Sequence, residues 1–187
     1  MKRRVRRSKG MSEAALLVEP ASTQTDSVAF EDLYRRTFPR VYAYVATLLR
    51  DRSAAEEVTA QAFERAYRKQ RTFKRERGSA DAWLFGIARN AALDELRRRK
   101  RRAALEADPE DAAGVTAEEH ADRALTRETV RAALATLEPG ERDLVALKYS
   151  GGLSNAEIAR VIGASESNAG TRLHRVIEKL RKACDVD

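Results

Sequence analysis

In 187 residues the chain has one cysteine, two histidines and one tryptophan, and these scarcities remove whole classes of function. A single thiol, Cys184, cannot close an internal disulfide, and with only His120 and His174 to join it no zinc-ligand set can be assembled. No apolar run approaches the roughly 18 residues that span a bilayer. No basic start, apolar stretch and cleavage site mark a signal peptide, so direct membrane insertion is not expected and the protein is placed in the cytoplasm. A phosphate-binding glycine loop is also missing, and neither histidine has a nucleophile at a motif spacing. The expectation is no catalytic residues, no metal, no cofactor and no enzyme.

What is present is charge, with 35% charged against 43% hydrophobic residues, a globular composition that suits one or two domains. Small helical domains fit this length and pattern better than one large core. The net charge of +7 is misleading as a sum, because six cations lie within residues 1–10 and the remainder is close to neutral. Distribution is the useful signal. Residues 97–102 are six consecutive cations, whereas residues 103–122 carry seven acids and no Lys or Arg.

Residues 1–27 lack apolar periodicity and read as a disordered basic arm, either a phosphate contact or a solvated tail, in which Met11 could serve as the start instead of Met1. From residue 28, Phe30, Leu33, Tyr34, Val41, Val45, Leu48 and Leu49 recur at helical spacing, with a break or kink expected at Pro39. A second helix is predicted to start at Ser53 with Glu56 as its capping-box partner, burying Val58, Ala62, Phe63, Ala66 and Tyr67. Its other face shows Glu57, Gln61, Glu64 and Arg68 in one polar stripe, which is either plain solvent face or a docking surface. After Gly78 and Ser79 a third helix turns Trp83, Ile87, Ala88, Ala91 and Ala92 inward, and Asn90, Asp94, Arg97, Arg98 and Arg101 share its outer face. Cations in a last helical turn complement the helix dipole, which accounts for one or two arginines but not for six cations in a row. A nucleic-acid strand or duplex lying along this face explains the excess.

Residues 103–121 are small, acidic and interrupted by Pro109 and Gly114, as expected of a flexible linker whose acidity serves either solubility or mimicry of DNA. Helical patterning resumes near Asp122 with Leu125, Val130, Leu134 and Leu137, turns at Pro139 and Gly140, and continues through Leu144, Val145 and Leu147 to Gly151 and Gly152. The stretch 154–182 then reads as two helices joined by a tight turn at Gly163. Ser154 and Glu157 form a capping box, and Ser165 opens the second helix. Ile158, Ile162, Ala164, Ala169, Leu173, Val176, Ile177 and Leu180 fall at three- and four-residue intervals and form the shared core. Ser167, Asn168, Thr171, Arg172 and Arg175 are left facing outward, residue types that reach base edges and phosphates in a major groove. An ordinary amphipathic surface helix would share part of this pattern. The capped helix, the turn glycine and the second serine in register favour a helix-turn-helix.

In this order the parts resemble a bacterial RNA polymerase sigma factor of the sigma-70 family, of the extracytoplasmic-function type. AAEEVTAQAFERAY at 54–67 is similar to the family's region 2 helix that binds polymerase, AWLFGIARNAALDELRRRKRR at 82–102 to the helix that reads and melts the −10 element, and LEPGERDLVALKYSGGLSNAEIARVIGASESNAGTRLHRVIEKLR at 137–181 to region 4, which reads the −35 element. The resemblance implies an all-α fold of two small helical domains, region 2 at 28–102 and region 4 at 122–187, joined by the acidic linker. It implies core RNA polymerase as partner, through the clamp helices of the largest subunit and the flap of the second-largest, together with promoter DNA and an anti-sigma factor. Glu57, Gln61 and Glu64 become polymerase contacts. Asn90, Asp94, Arg97, Arg98 and Arg101 become −10 contacts, and Ser167, Asn168, Thr171, Arg172 and Arg175 become −35 contacts. Phe73 and Trp83 are candidates to stack a flipped base, although Trp83 lies on the inward stripe. One departure stands out: Ala169 and Gly170 occupy positions where relatives commonly carry Val and Lys. A stand-alone helix-turn-helix regulator acting without polymerase is the alternative, and it leaves residues 28–102 unexplained.

Overall fold

The structure is a computed structural model that describes residues 21–105 and 129–184. The arm's first twenty residues, most of the acidic linker with His120, and Leu125 lie outside the described residues. Among those described, every regular element is a helix. The chain runs α1 (Ala21–Leu49), α2 (Arg52–Lys69), two single 3₁₀ turns (Gln70–Thr72 and Arg75–Arg77), α3 (Ala80–Leu105), α4 (129–135), α5 (Pro139–Val145), α6 (Asn155–Ile162) and α7 (Glu166–Cys184). A π-helical stretch, Ala146–Ser150, continues α5.

Several boundaries differ from the sequence expectation. Helix α1 starts at Ala21, inside the segment read as a disordered arm, and runs through Pro39 without a break. No glycine or proline interrupts residues 21–38. Pro39 itself is exposed, so the carbonyl that loses its amide partner can bond to water. Helix α2 is capped by Asp51 rather than Ser53: Asp51 is extended, and its carboxylate accepts the Ala54 amide at 3.0 Å. Arg99 of α3 holds the other Asp51 oxygen at 2.9 Å and so ties this cap to α3. These bonds depress the Asp51 carboxyl below its ordinary value, the Ala54 amide first and the Arg99 guanidinium after it. Residues 103–105, read as linker, continue α3. Pro139 is the first residue of α5 and not part of a turn, with Glu138 and Glu141 forming a capping box around it. Tyr67, expected inside, is 54% exposed, and Val130 of α4 is also exposed.

The two small helical domains form as expected, and they pack together, an arrangement that the linker alone leaves open. One continuous cluster runs from Leu33 and Tyr44 of α1, through Leu84 and Phe85 of α3, to Leu144, Leu147, Leu153 and Ile158 of the C-terminal half. Leu147, Leu153 and Ile158 are almost wholly buried, and each such side chain contributes about 1.5–3 kcal/mol relative to exposure. A smaller cluster, Leu137, Val145 and Val176, seats α7 on α5.

At the seam the backbone comes close. A Cβ built on Gly151 would lie 2.6 Å from the Leu147 carbonyl oxygen and 3.0 Å from the Phe85 ring. Gly151→Ala is therefore expected to cost about 1–3 kcal/mol by overpacking, read as a lower urea midpoint; an unchanged midpoint would show that the seam relaxes freely.

Candidate nucleic-acid interface

The helix-turn-helix forms as its capping residues dictate. Ser154 Oγ accepts the Glu157 amide at 3.3 Å, and Glu157 accepts the Ser154 amide at 2.9 Å, closing both ends of the capping box on α6. Gly163 ends α6 at φ 70°, a left-handed conformation that favours glycine. Ser165 Oγ then accepts the Asn168 amide at 3.2 Å and starts α7. Ile158, Ala159, Ala169 and Leu173 are buried in the main cluster and Val176 against α5, while Ile162, Ala164, Ile177 and Leu180 are half-buried. Ser167, Asn168, Thr171, Arg172 and Arg175 are all exposed on one side of α7. Ala169 is 1% exposed, so its small size belongs to the packing of α7 on α6. The first residue of α6, Asn155, lies opposite Gly170.

On α3, Asn90, Asp94, Arg97, Arg98 and Arg101 are all exposed, and the helix brings them onto one face. The cation run is not uniform, however. Arg97 pairs with Asp94 at 2.9 Å, and Glu95 takes Arg98 at 2.7 Å and Arg99 at 2.9 Å. Arg99 is thus a structural tie between α3 and the cap of α2. Along α2, Glu57 and Glu64 are exposed and Gln61 is half-buried. Gln61 donates to Glu57 at 3.1 Å and Arg68 pairs with Glu64 at 2.5 Å, two separate pairs along the stripe.

A cleft of about 600 Å3 opens beside α3, where Asn90 lies at its edge. Phe73 and Trp83 form an aromatic wall, their ring centroids 5.4 Å apart. Trp83 is half-buried, so it serves the core and the cleft together. One side of the cleft comes from the other half of the chain, through Arg160 and Val161 of α6.

Among the described residues four polar pairs join these halves, Tyr44 and Arg89 to Asp143, Arg40 to Gly151 and Ser79 to Glu157, and no local pattern announces them. Asp143, 3% exposed, accepts the Tyr44 hydroxyl at 2.8 Å and the Arg89 Nε at 2.7 Å. Burial and then the neighbouring Asp143 push the Tyr44 phenol well above its ordinary range. Arg40 donates to the Gly151 carbonyl and to Asp81 at 2.7 Å, and Arg36 holds Asp81 from the other side. Ser79 donates to Glu157 at 2.5 Å. Burial raises the Asp81 and Glu157 carboxyls, but the hydrogen bonds from Arg36 and Arg40, and from Ser79 and Ser154, outweigh it and leave both below their usual values.

Residues 33–102 match the family described as Sigma-70 region 2, and residues 127–180 match Sigma-70, region 4. The chain belongs to the sigma-70 family. It is 32% identical over 171 residues to the ECF RNA polymerase sigma factor SigK of Mycobacterium tuberculosis, covering 86% of this chain and 88% of that protein. It is 36% identical over 156 residues to the RNA polymerase sigma factor CarQ of Myxococcus xanthus, covering 82% and 88%. The fold matches the sigma factor RpoE from Bartonella quintana, solved in complex with the anti-sigma factor NepR, with a TM-score of 0.71 at 22% identity over 85% of this chain and 98% of that one. It also matches CnrH, solved in complex with the cytosolic domain of CnrY, with a TM-score of 0.64 at 26% identity over 89% and 96%. This chain is therefore an extracytoplasmic-function sigma factor, a transcription initiation factor that works with RNA polymerase at promoters. Among the described residues no helix is long and apolar enough to cross a membrane.

Proposed function

We propose that this sigma factor divides promoter reading between its two exposed DNA faces, α7 taking the −35 duplex and α3 the −10 element. The observation that carries the reading is the exposure, on one side of α7, of Ser167, Asn168, Thr171, Arg172 and Arg175, with the capped α6 bracing the helix behind them. Asn90, Asp94, Arg97, Arg98 and Arg101 take the opposite end of the promoter, and Phe73 with Trp83 offers ring faces to an unstacked base. Opening uses binding energy rather than chemistry, so the protein has no catalytic residue of its own and needs no cofactor or metal. Glu57, Gln61 and Glu64 dock on the clamp helices of the largest polymerase subunit, and region 4 on the flap of the second-largest. An anti-sigma factor is the expected regulator, a reading supported by the RpoE neighbour, which was solved in complex with the anti-sigma factor NepR. The site of action is the cytoplasm, at the nucleoid once polymerase is bound.

Reversing the stripe with Glu57→Arg and Glu64→Arg should weaken binding to core polymerase at least tenfold in a fluorescence competition assay while leaving duplex binding unchanged. Equal affinity for core polymerase would remove α2 from that role.

Gly170 gives a second test. A Cβ there would meet Asn155 at 3.6 Å, ordinary contact, so side chains are admitted. Gly170→Ala should stabilise the protein by about 0.5–1 kcal/mol through helix propensity. Gly170→Lys should strengthen binding to upstream duplex and steepen its salt dependence by about one phosphate contact. Unchanged or weaker binding in a salt titration would refute the second expectation.

A further inference from the structure

Helix α7 opens on an exposed acid outside the −35 contact set, Glu166, and among the described residues no side chain pairs with it. The other acid of α7 differs, since Glu178 is held by Arg181 at 2.6 Å. Glu166 and Gly170 are four residues apart and share one row of the helix, directly beside the row of Ser167 and Thr171. Gly170 leaves its row without a side chain, and a Cβ there would meet the Asn155 Nδ2 at 3.6 Å. Asn155 is fixed in turn by Lys148, whose Nζ donates to Asn155 Oδ1 at 3.2 Å. The result is a polar notch between the start of α6 and the first turn of α7, with an unneutralised carboxylate one turn away.

A free carboxylate on a face that meets DNA is costly, because it accepts hydrogen bonds, donates none and is repelled by phosphates. The first residues of a recognition helix are the ones that reach base edges. In the major groove guanine and thymine offer acceptors, and adenine sets its N7 acceptor beside its amino group. Cytosine presents the N4 amino donor alone, so it is the base that suits an acid. We infer, on the reading of α7 as the −35 helix, that Glu166 is a specificity-determining residue. It accepts a hydrogen bond from the N4 amino group of one cytosine, and Gly170 keeps it free to do so. A lysine at 170 would instead take the carboxylate as its i,i+4 partner. Glu166 acts chiefly by exclusion: cytosine satisfies the carboxylate, whereas any other base leaves it desolvated against an acceptor and lowers affinity.

The full chain is incubated with a pool of randomised duplexes, the bound fraction is sequenced, and the enriched duplex and its single-base variants are titrated by anisotropy. The parent is expected to prefer cytosine at one position by about tenfold over the other three bases. Glu166→Gln should cut that preference to about twofold, tighten binding to the three disfavoured variants and leave preferences at other positions in place. Gly170→Lys should flatten the same position while binding every duplex more tightly. A role confined to complementing the helix dipole predicts something else, a lower urea midpoint for Glu166→Gln and an equal change on all duplexes. That result overturns the inference, as does a parent with a preferred sequence whose cytosine preference survives Glu166→Gln. In both of those cases α7 still stands as the −35 helix. A parent that enriches no sequence at all overturns the reading of α7 itself, and the role of Glu166 with it.

Discussion

Asp143→Ala is expected to lower the stability of the whole described fold by about 3 kcal/mol, at the lower end of the range for stripping one partner from a buried ion pair. The carboxylate is 3% exposed and is the common acceptor for Tyr44 and Arg89, which come from two helices of the other half. Its removal leaves a buried phenol without an acceptor and a guanidinium without a counter-charge. Arg89 keeps 23% of its side chain in solvent, which moderates the loss. Asp143→Asn retains an acceptor oxygen and should cost less than half as much. Because the core is continuous across the seam, Trp83 fluorescence and far-ultraviolet circular dichroism should report one shared unfolding midpoint in the parent and in both variants. A loss below about 1 kcal/mol, within the ordinary range for surface changes and single hydrogen bonds, would show that Asp143 is incidental to the seam.

Arg172→Ala and Arg175→Ala should each weaken binding to a −35 duplex by about 1–3 kcal/mol if the arginine reads a base, roughly 5- to 150-fold. Both side chains are exposed on α7. Their loss should be felt most on the cognate sequence and flatten discrimination at one base pair. If an arginine contacts only phosphate, the loss is equal on all sequences and the salt slope falls by about one. Anisotropy titrations on cognate and scrambled duplexes at several salt concentrations separate these results. Neither change should alter the urea midpoint, since neither side chain is part of the core.

What the sequence made legible was local. The capping box at Ser154 and Glu157, the left-handed turn at Gly163 and the outward row on α7 each depend on residues within a few positions of one another, and all three form as expected. The outer face of α3 was readable for the same reason. What could not be read depends on partners far along the chain. Asp51 and Ser53 are both acceptable caps for α2, and Arg99, 48 residues away, accompanies the choice of Asp51. Tyr67 follows the inward spacing of Phe63 but lies at the margin of the buried face, where Phe30 meets its ring edge-on at 5.2 Å. Asp143 sits between Arg142 and Leu144 in sequence, and nothing there foretells Tyr44 or Arg89. The seam itself was hidden because Leu144, Leu147 and Leu153 satisfy a small domain's core as well as a shared one.

The central claim is that this chain confers promoter-specific initiation on core RNA polymerase, and run-off transcription tests it most directly. Purified core polymerase is given a library of promoter fragments from the source genome, with and without the full-length chain. Discrete transcripts are expected only when the chain is present, from start sites that share two upstream sequence elements, and they should be lost with Arg172→Ala combined with Arg175→Ala. Duplex binding without any new transcript would contradict it and make the chain a stand-alone helix-turn-helix regulator.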